Sequence, residues 1–221
     1  MSTNSDMLTL AQWLSPAFPV GGFAYSHGLE TAIQKGVIRS AKDLQDWLWD
    51  VLEHGSGRND GVLLRAAYAC TTPAQLEEVN QTAIAVSASR ERVFETQLQG
   101  TAFTQTTAVI WRVDEVADTD TNVLCYPVAV GHAAARAEFD VDLTAAMYLH
   151  AFASNLVSAA VRAVPLGQTE GQRVLAALVP LCDQIAQRTI GTTLDDLSST
   201  AFLSDIAAMQ HETLQPRIFR S

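Results

Sequence analysis

The sequence predicts an all-α protein, a single-domain helical bundle of about 8–10 helices. Three observations carry this. Helix start signals and 3.6-residue apolar spacing recur along most of the 221 residues. No convincing alternation of apolar and polar residues exceeds about five positions. No repeat, low-complexity tract or Pro/Gly/Ser-rich linker divides residues 1–221 into separate domains.

Taken in order, Met1 to Met7 (residues 1–7) is polar and is expected to be flexible. The connector Ser15 to Ser26 packs two prolines (Pro16, Pro19), two glycines (Gly21, Gly22) and two phenylalanines into twelve residues. Two readings are open for it: a stiff turn whose aromatics plug the core, or a rigid loop that presents Tyr25 and Ser26 for recognition. Ser40-Ala41-Lys42-Asp43 has capping-box spacing, and Leu44, Leu48, Val51 and Leu52 then mark one helix face. Gly55-Ser56-Gly57 reads as a loop between helices. Thr72-Pro73-Ala74-Gln75 combines a cap hydroxyl, a proline at the first helical position and a glutamine at the third, and predicts a helix running to about Ser89.

A further helix is expected over Glu91 to Ile110, with Gly100 and the threonines through Thr107 unsettling its middle. A loop holding Asp114, Asp118 and Asp120 precedes a helix near Pro127. Asp142 to Val164 predicts a long apolar helix that Pro165 and Gly167 stop. Thr169 to about Ile190 makes another, followed by an acidic loop at Asp195 and Asp196. Ala201 to Met209 predicts a short last helix ahead of a tail, His211 to Ser221 (residues 211–221).

Composition limits the function. With 14 Lys plus Arg against 24 Asp plus Glu, the net charge is −10, and no concentrated basic patch is present to neutralise phosphates. No nucleic acid and no membrane surface is therefore expected as a partner. Leu143 to Val161 lacks charges over a nominally membrane-spanning length, but its His150, Asn155 and alanine content predict a buried core helix with His150 hydrogen-bonded inside it. Cys70, Cys125 and Cys182 are widely spaced, without a CxxC pair. They suit thiols in a reducing compartment, and with no basic region and apolar core at the N-terminus a cytoplasmic location is expected.

Signatures of catalysis are missing. There is no GxxxxGK[ST], GxGxxG, GxSxG or HExxH. The five histidines pair with no His or Cys at metal-ligand spacing. His211 beside Glu212 is the most suggestive pair, yet adjacent residues do not face each other on a helix. No enzyme is predicted, and no bound cofactor or metal. The tail Gln215-Pro216-Arg217-Ile218-Phe219-Arg220-Ser221 instead brackets an apolar pair with arginines in an acidic chain, the composition of a segment that orders on a partner.

Six blocks follow one another in a recognisable order: SPAFPVGGFAYSHGLE (Ser15 to Glu30), Asn59-Asp60, FETQLQG (Phe94 to Gly100), YPVAVGHAAA (Tyr126 to Ala135), AAVRAVPLGQTEGQR (Ala159 to Arg173) and HETLQPRIFRS at the C-terminus. In that order the chain resembles the UreF family of urease accessory proteins. The resemblance implies a non-enzymatic helical scaffold, a homodimer, that joins a UreD (UreH)-type protein and the GTPase UreG on the urease apoprotein and gates GTP-dependent nickel insertion. Nickel would be handled by the assembled complex rather than held by this chain. It implies partner-binding roles for Tyr25, Ser26 and Glu30 in the first block, and for Arg162 and Gln168 at a cleft facing UreG. Arg217, Phe219 and Arg220 would act in a tail that docks on the UreD-type protein. Pro16, Pro19, Gly21, Gly28, Asp60, Gly131, Pro165 and Gly167 would be structural motif positions. Alternative readings are a GTPase-activating protein that supplies an arginine (Arg162 or Arg220) to UreG, and a direct nickel-carrying chaperone.

Overall fold

In the computed structural model, which describes residues 3–113 and 123–221, α1 (Asn4–Trp13) opens at a capping box. Thr3 accepts the Asp6 N–H, and the Asp6 carboxylate accepts the Thr3 N–H. The first helix thus begins at Asn4, within the polar N-terminal segment. Trp13 at its end is fully buried, with its ring 5.4 Å from Phe103 and 5.1 Å from Phe139.

The remaining helices are α2 (Leu29–Gln34), α3 (Ala41–His54), α4 (Ser56–Ala69), α5 (Pro73–Ala85), α6 (Arg90–Trp111), α7 (Tyr126–Arg136), α8 (Val141–Ala163), α9 (Gln168–Arg188) and α10 (Phe202–His211). The described residues contain no strand, so the all-α class is correct. The capping boxes at Ser40 and Thr72 form as the spacing indicates. The acidic loop around Asp114, Asp118 and Asp120 lies outside the described residues.

Several boundaries differ from the sequence reading. α5 stops at Ala85 rather than near Ser89, because Ser89 is the N-cap of α6 and accepts the Arg92 N–H at 3.2 Å. Gly55-Ser56-Gly57 is no loop but the start of α4. A Cβ on Gly57 would lie 2.7 Å from the Leu52 backbone, so glycine allows two helices to meet almost without a connector. Gly100 does not interrupt α6. A Cβ there would lie 1.9 Å from the Leu124 carbonyl oxygen, so the glycine is a packing notch for the strand of chain entering α7. His150 is exposed, not a core histidine.

One hydrophobic core joins these helices. α4 lies along α7, α8 along α9, and α6 along α7, while α3 packs on α9. The α4–α7 approach is backbone-close: a Cβ on Gly131 would sit 2.1 Å from the Leu64 carbonyl oxygen. The N-terminus of α7 is fixed by two side chains from neighbours. Asn80 accepts the Cys125 N–H at 2.8 Å, and Thr96 accepts the Tyr126 N–H at 3.0 Å. No helix among the described residues is long and apolar enough to cross a membrane.

Candidate functional site

After α10 the chain turns and runs back over the first sequence block. Glu30 in the first turn of α2 receives it. Gly28, at φ 77°, caps that helix in the left-handed region, and a Cβ there would lie 2.6 Å from the Ala208 backbone nitrogen of α10. α2 and α10 can therefore meet closely, with the tail beside them.

The Glu30 carboxylate is 2% exposed and accepts the Ile218 N–H at 2.7 Å and the Phe219 N–H at 2.9 Å. His211, with no exposed surface, places Nε2 3.1 Å from Glu30 and Nδ1 2.6 Å from Glu91, and Arg217 pairs with the same Glu91. Ser26 donates its N–H to the Ser221 carbonyl oxygen at 2.8 Å and its hydroxyl to the same atom, while the Ser221 hydroxyl donates to Glu95. Phe219 is 3% exposed under the Arg162 guanidinium, whose Cζ stands 4.8 Å from the ring centroid. Arg162 also donates to the Phe23 carbonyl oxygen at 2.7 Å. The polar groups buried here are thus mutually satisfied, as burial demands.

Beneath this platform lies a second polar cluster. Arg92 on α6 pairs with Glu95, and Tyr148 on α8 donates to Asp60 on α4 at 2.8 Å. Asp60, His27 and Arg92 line a partly open pocket of about 140 Å³. Burial pushes the Asp60 carboxyl up to about 6, against the opposing pull of Arg92. Burial likewise drives the His27 imidazole well below its ordinary value, with the Arg92 charge adding to it. The Tyr25 phenol is pushed up, first by burial and then by the Glu95 charge, with Arg220 pulling the other way. Among the described residues no three His, Cys, Asp or Glu side chains converge as a metal site.

The structure brings together Tyr25, Ser26, Glu30, Arg162, Arg217, Phe219 and Arg220. Of the two readings open for the connector, one needs correction. Tyr25 and Ser26 are not presented to solvent; they are 7% and 1% exposed and form the bed of the tail. The tail is seated on its own chain through Glu30, Glu91 and Glu95. Of the two phenylalanines in the connector, Phe18 plugs the core and Phe23 is 68% exposed. Gln168 lies exposed in the first turn of α9, without a hydrogen bond to the tail among the described residues. Pro16, Pro19, Pro165 and Gly167 are exposed connector positions, and Gly21 adopts a left-handed φ of 70° ahead of the turn Gly22–Ala24.

Sequence reasoning missed Glu91, Arg92 and Glu95. The signal for the last two was present: Arg92, Glu95 and Gln99 recur at i, i+3 and i+7, a polar stripe that faces inward. His211 drew notice beside Glu212, but its partners are Glu30 and Glu91, remote in the chain.

Comparison with known proteins agrees with this arrangement of blocks. The family described as UreF matches residues 38–179. The chain is 54% identical over 221 residues to a protein of Roseobacter denitrificans named urease accessory protein UreF, covering 100% of this chain and 96% of that one. It is 51% identical over 219 residues to a protein of the same name from Ruegeria pomeroyi, covering 99% and 98%. A third, from Cereibacter sphaeroides, is 48% identical over 218 residues, covering 99% and 100%.

Proposed function

The chain belongs to the UreF family of urease accessory proteins, and on that premise we propose that it is a non-enzymatic scaffold. It joins a UreD (UreH)-type protein and the GTPase UreG on the urease apoprotein, and gates GTP-dependent nickel insertion into that enzyme. Nickel is cargo of the assembled complex in this reading, and among the described residues no three His, Cys, Asp or Glu side chains converge to hold it.

The observation that carries the reading is the platform itself. The docked tail seats Phe219 under Arg162 and leaves Arg217 and Arg220 exposed beside the first block, so two segments about 190 positions apart form one continuous surface. Arg162 is already engaged, by the Phe23 carbonyl oxygen and the Phe219 ring, which supports gating through the platform's shape over an arginine supplied to a phosphate. For a homodimer, the supporting feature is an apolar groove of about 690 Å³ bounded by Leu14, Met147 and Val179, with Leu8 72% exposed on the adjoining helix α1. Three free cysteines are compatible with a cytoplasmic setting.

The test is reconstitution. The protein, the UreD-type protein, UreG and apo-urease are co-purified, and urease activation is read with and without this chain. Arg162→Ala is expected to weaken UreG recruitment or uncouple GTP hydrolysis from activation. Normal recruitment together with normal activation in that variant would sink the assignment.

A further inference from the structure

The N-terminal half of α6 and the docked tail enclose an open groove of about 500 Å³. Its floor is Phe94 and Leu98, one helical turn apart on α6, which leave 51% and 52% of their surfaces exposed. Its rim is Arg90, Arg217 and Arg220. In a chain with 14 Lys plus Arg and a net charge of −10, this is a local reversal of sign.

The acidic residues at the groove are already engaged. Glu91 is taken by His211 and Arg217, and Glu212 accepts the Arg90 backbone N–H at 2.9 Å. Arg90 and Arg220 have no carboxylate partner among the described residues. The Arg90 guanidinium stands 5.4 Å over the Phe94 ring, where its cation–π contact leaves its N–H edge available. A weakly hydrated planar cation beside exposed apolar side chains desolvates readily against a carboxylate, and such pairs concentrate at interface hot spots.

We propose that this groove docks an acidic segment of a partner protein, one that carries an aliphatic or aromatic anchor flanked by carboxylates. The anchor covers Phe94 and Leu98, and the carboxylates meet Arg90 and Arg220. The proposal deepens, and rests on, the reading that the tail platform meets the UreD-type protein, because Arg217 and Arg220 belong to both. A second copy of this chain is disfavoured as the occupant, since the homodimer reading places that contact at the separate apolar groove bounded by Leu14, Met147 and Val179.

The experiment measures binding of the purified UreD-type protein to the full-length chain at low and high salt. Arg90→Glu and Leu98→Asp are on an exposed helix face, and thermal melts are run to check that both fold. Each is expected to weaken binding by about ten-fold or more, Arg90→Ala less than Arg90→Glu, and the salt dependence is expected to flatten in Arg90→Glu. Wild-type affinity in both Arg90→Glu and Leu98→Asp would overturn the proposal, and so would unchanged binding accompanied by loss of self-association. Deletion of Arg217 to Ser221 tests the parent reading separately. If only the deletion loses binding, the groove proposal fails and the tail reading stands. If only the groove variants lose it, Arg220 takes no part in docking, and the groove proposal fails together with the tail reading.

Discussion

The Glu30 carboxylate accepts the Phe219 backbone N–H at 2.9 Å, and with the neighbouring Ile218 N–H it fastens the end of the chain to its second helix. Backbone donors aimed at one ionised side chain give short, strong contacts that need no particular tail side chain. These main-chain contacts act with the buried Phe219 ring, the Arg217–Glu91 pair and the Ser221–Glu95 contact, while Arg217, Ile218 and Arg220 stay exposed.

Glu30→Gln should release that fastening. Whichever way the amide is turned, one of the two N–H groups then meets another donor, and a buried donor is left unpaired. We expect a stability loss of about 1–3 kcal/mol and faster hydrogen exchange at the Ile218 and Phe219 amides, with α3 and α9 unaffected. Native protection of both amides in the variant would show that the carboxylate is not what holds the tail.

Gly131→Ala and Gly100→Ala should each destabilise by at least about 2 kcal/mol, because the added methyl meets a carbonyl oxygen of a neighbouring segment rather than a movable side chain. Gly167→Ala, exposed and at an ordinary negative φ, should stay within about 1 kcal/mol of the parent. Chemical denaturation of the three variants separates the two classes.

Asp60 has a pH signature of unusual sign. Its carboxyl is raised from 3.8 to about 6, so between those values the folded chain holds a proton that the unfolded chain has lost. The group's contribution to stability therefore falls as pH rises from about 4 to about 6, and is flat beyond. Asp60→Asn, which mimics the protonated form, should gain on the parent across that window by up to about 3 kcal/mol. Unfolding free energies of the pair at several pH values check this; a constant difference contradicts the burial account.

The three thiols should react in a set order. Cys70 is partly exposed, whereas Cys125 and Cys182 are buried, and burial pushes their thiols up to about 11 and about 12. A thiol reagent under native conditions should titrate Cys70 alone, with Cys125 and Cys182 appearing only at the rate of unfolding. Early modification of Cys125 would mean that the Asn80 and Thr96 anchorage of α7 opens on its own.

Legibility followed the range of each signal. The caps at Ser40 and Thr72 and the apolar stripe of α3 were readable because donor, acceptor and face recur within four residues. The end of α5 was misjudged because Ser89, which caps the next helix, looks locally like a continuation. α2 and α4 escaped notice because one is a six-residue helix and the other begins in glycines that are informative only once their neighbours are known.

The sequence by itself determined the helical class, the family through its ordered blocks, and the residues worth watching in the first block and the tail. Tertiary structure alone decided that these two segments are one site. It buried Tyr25 and Ser26, turned the Arg92–Glu95 stripe inward, and gave His211 its two distant carboxylates. The reason is physical. Helix signals are written in interactions a turn apart, but a contact between residue 30 and residue 219 exists only after α2 and α10 have packed, and no local preference encodes that meeting.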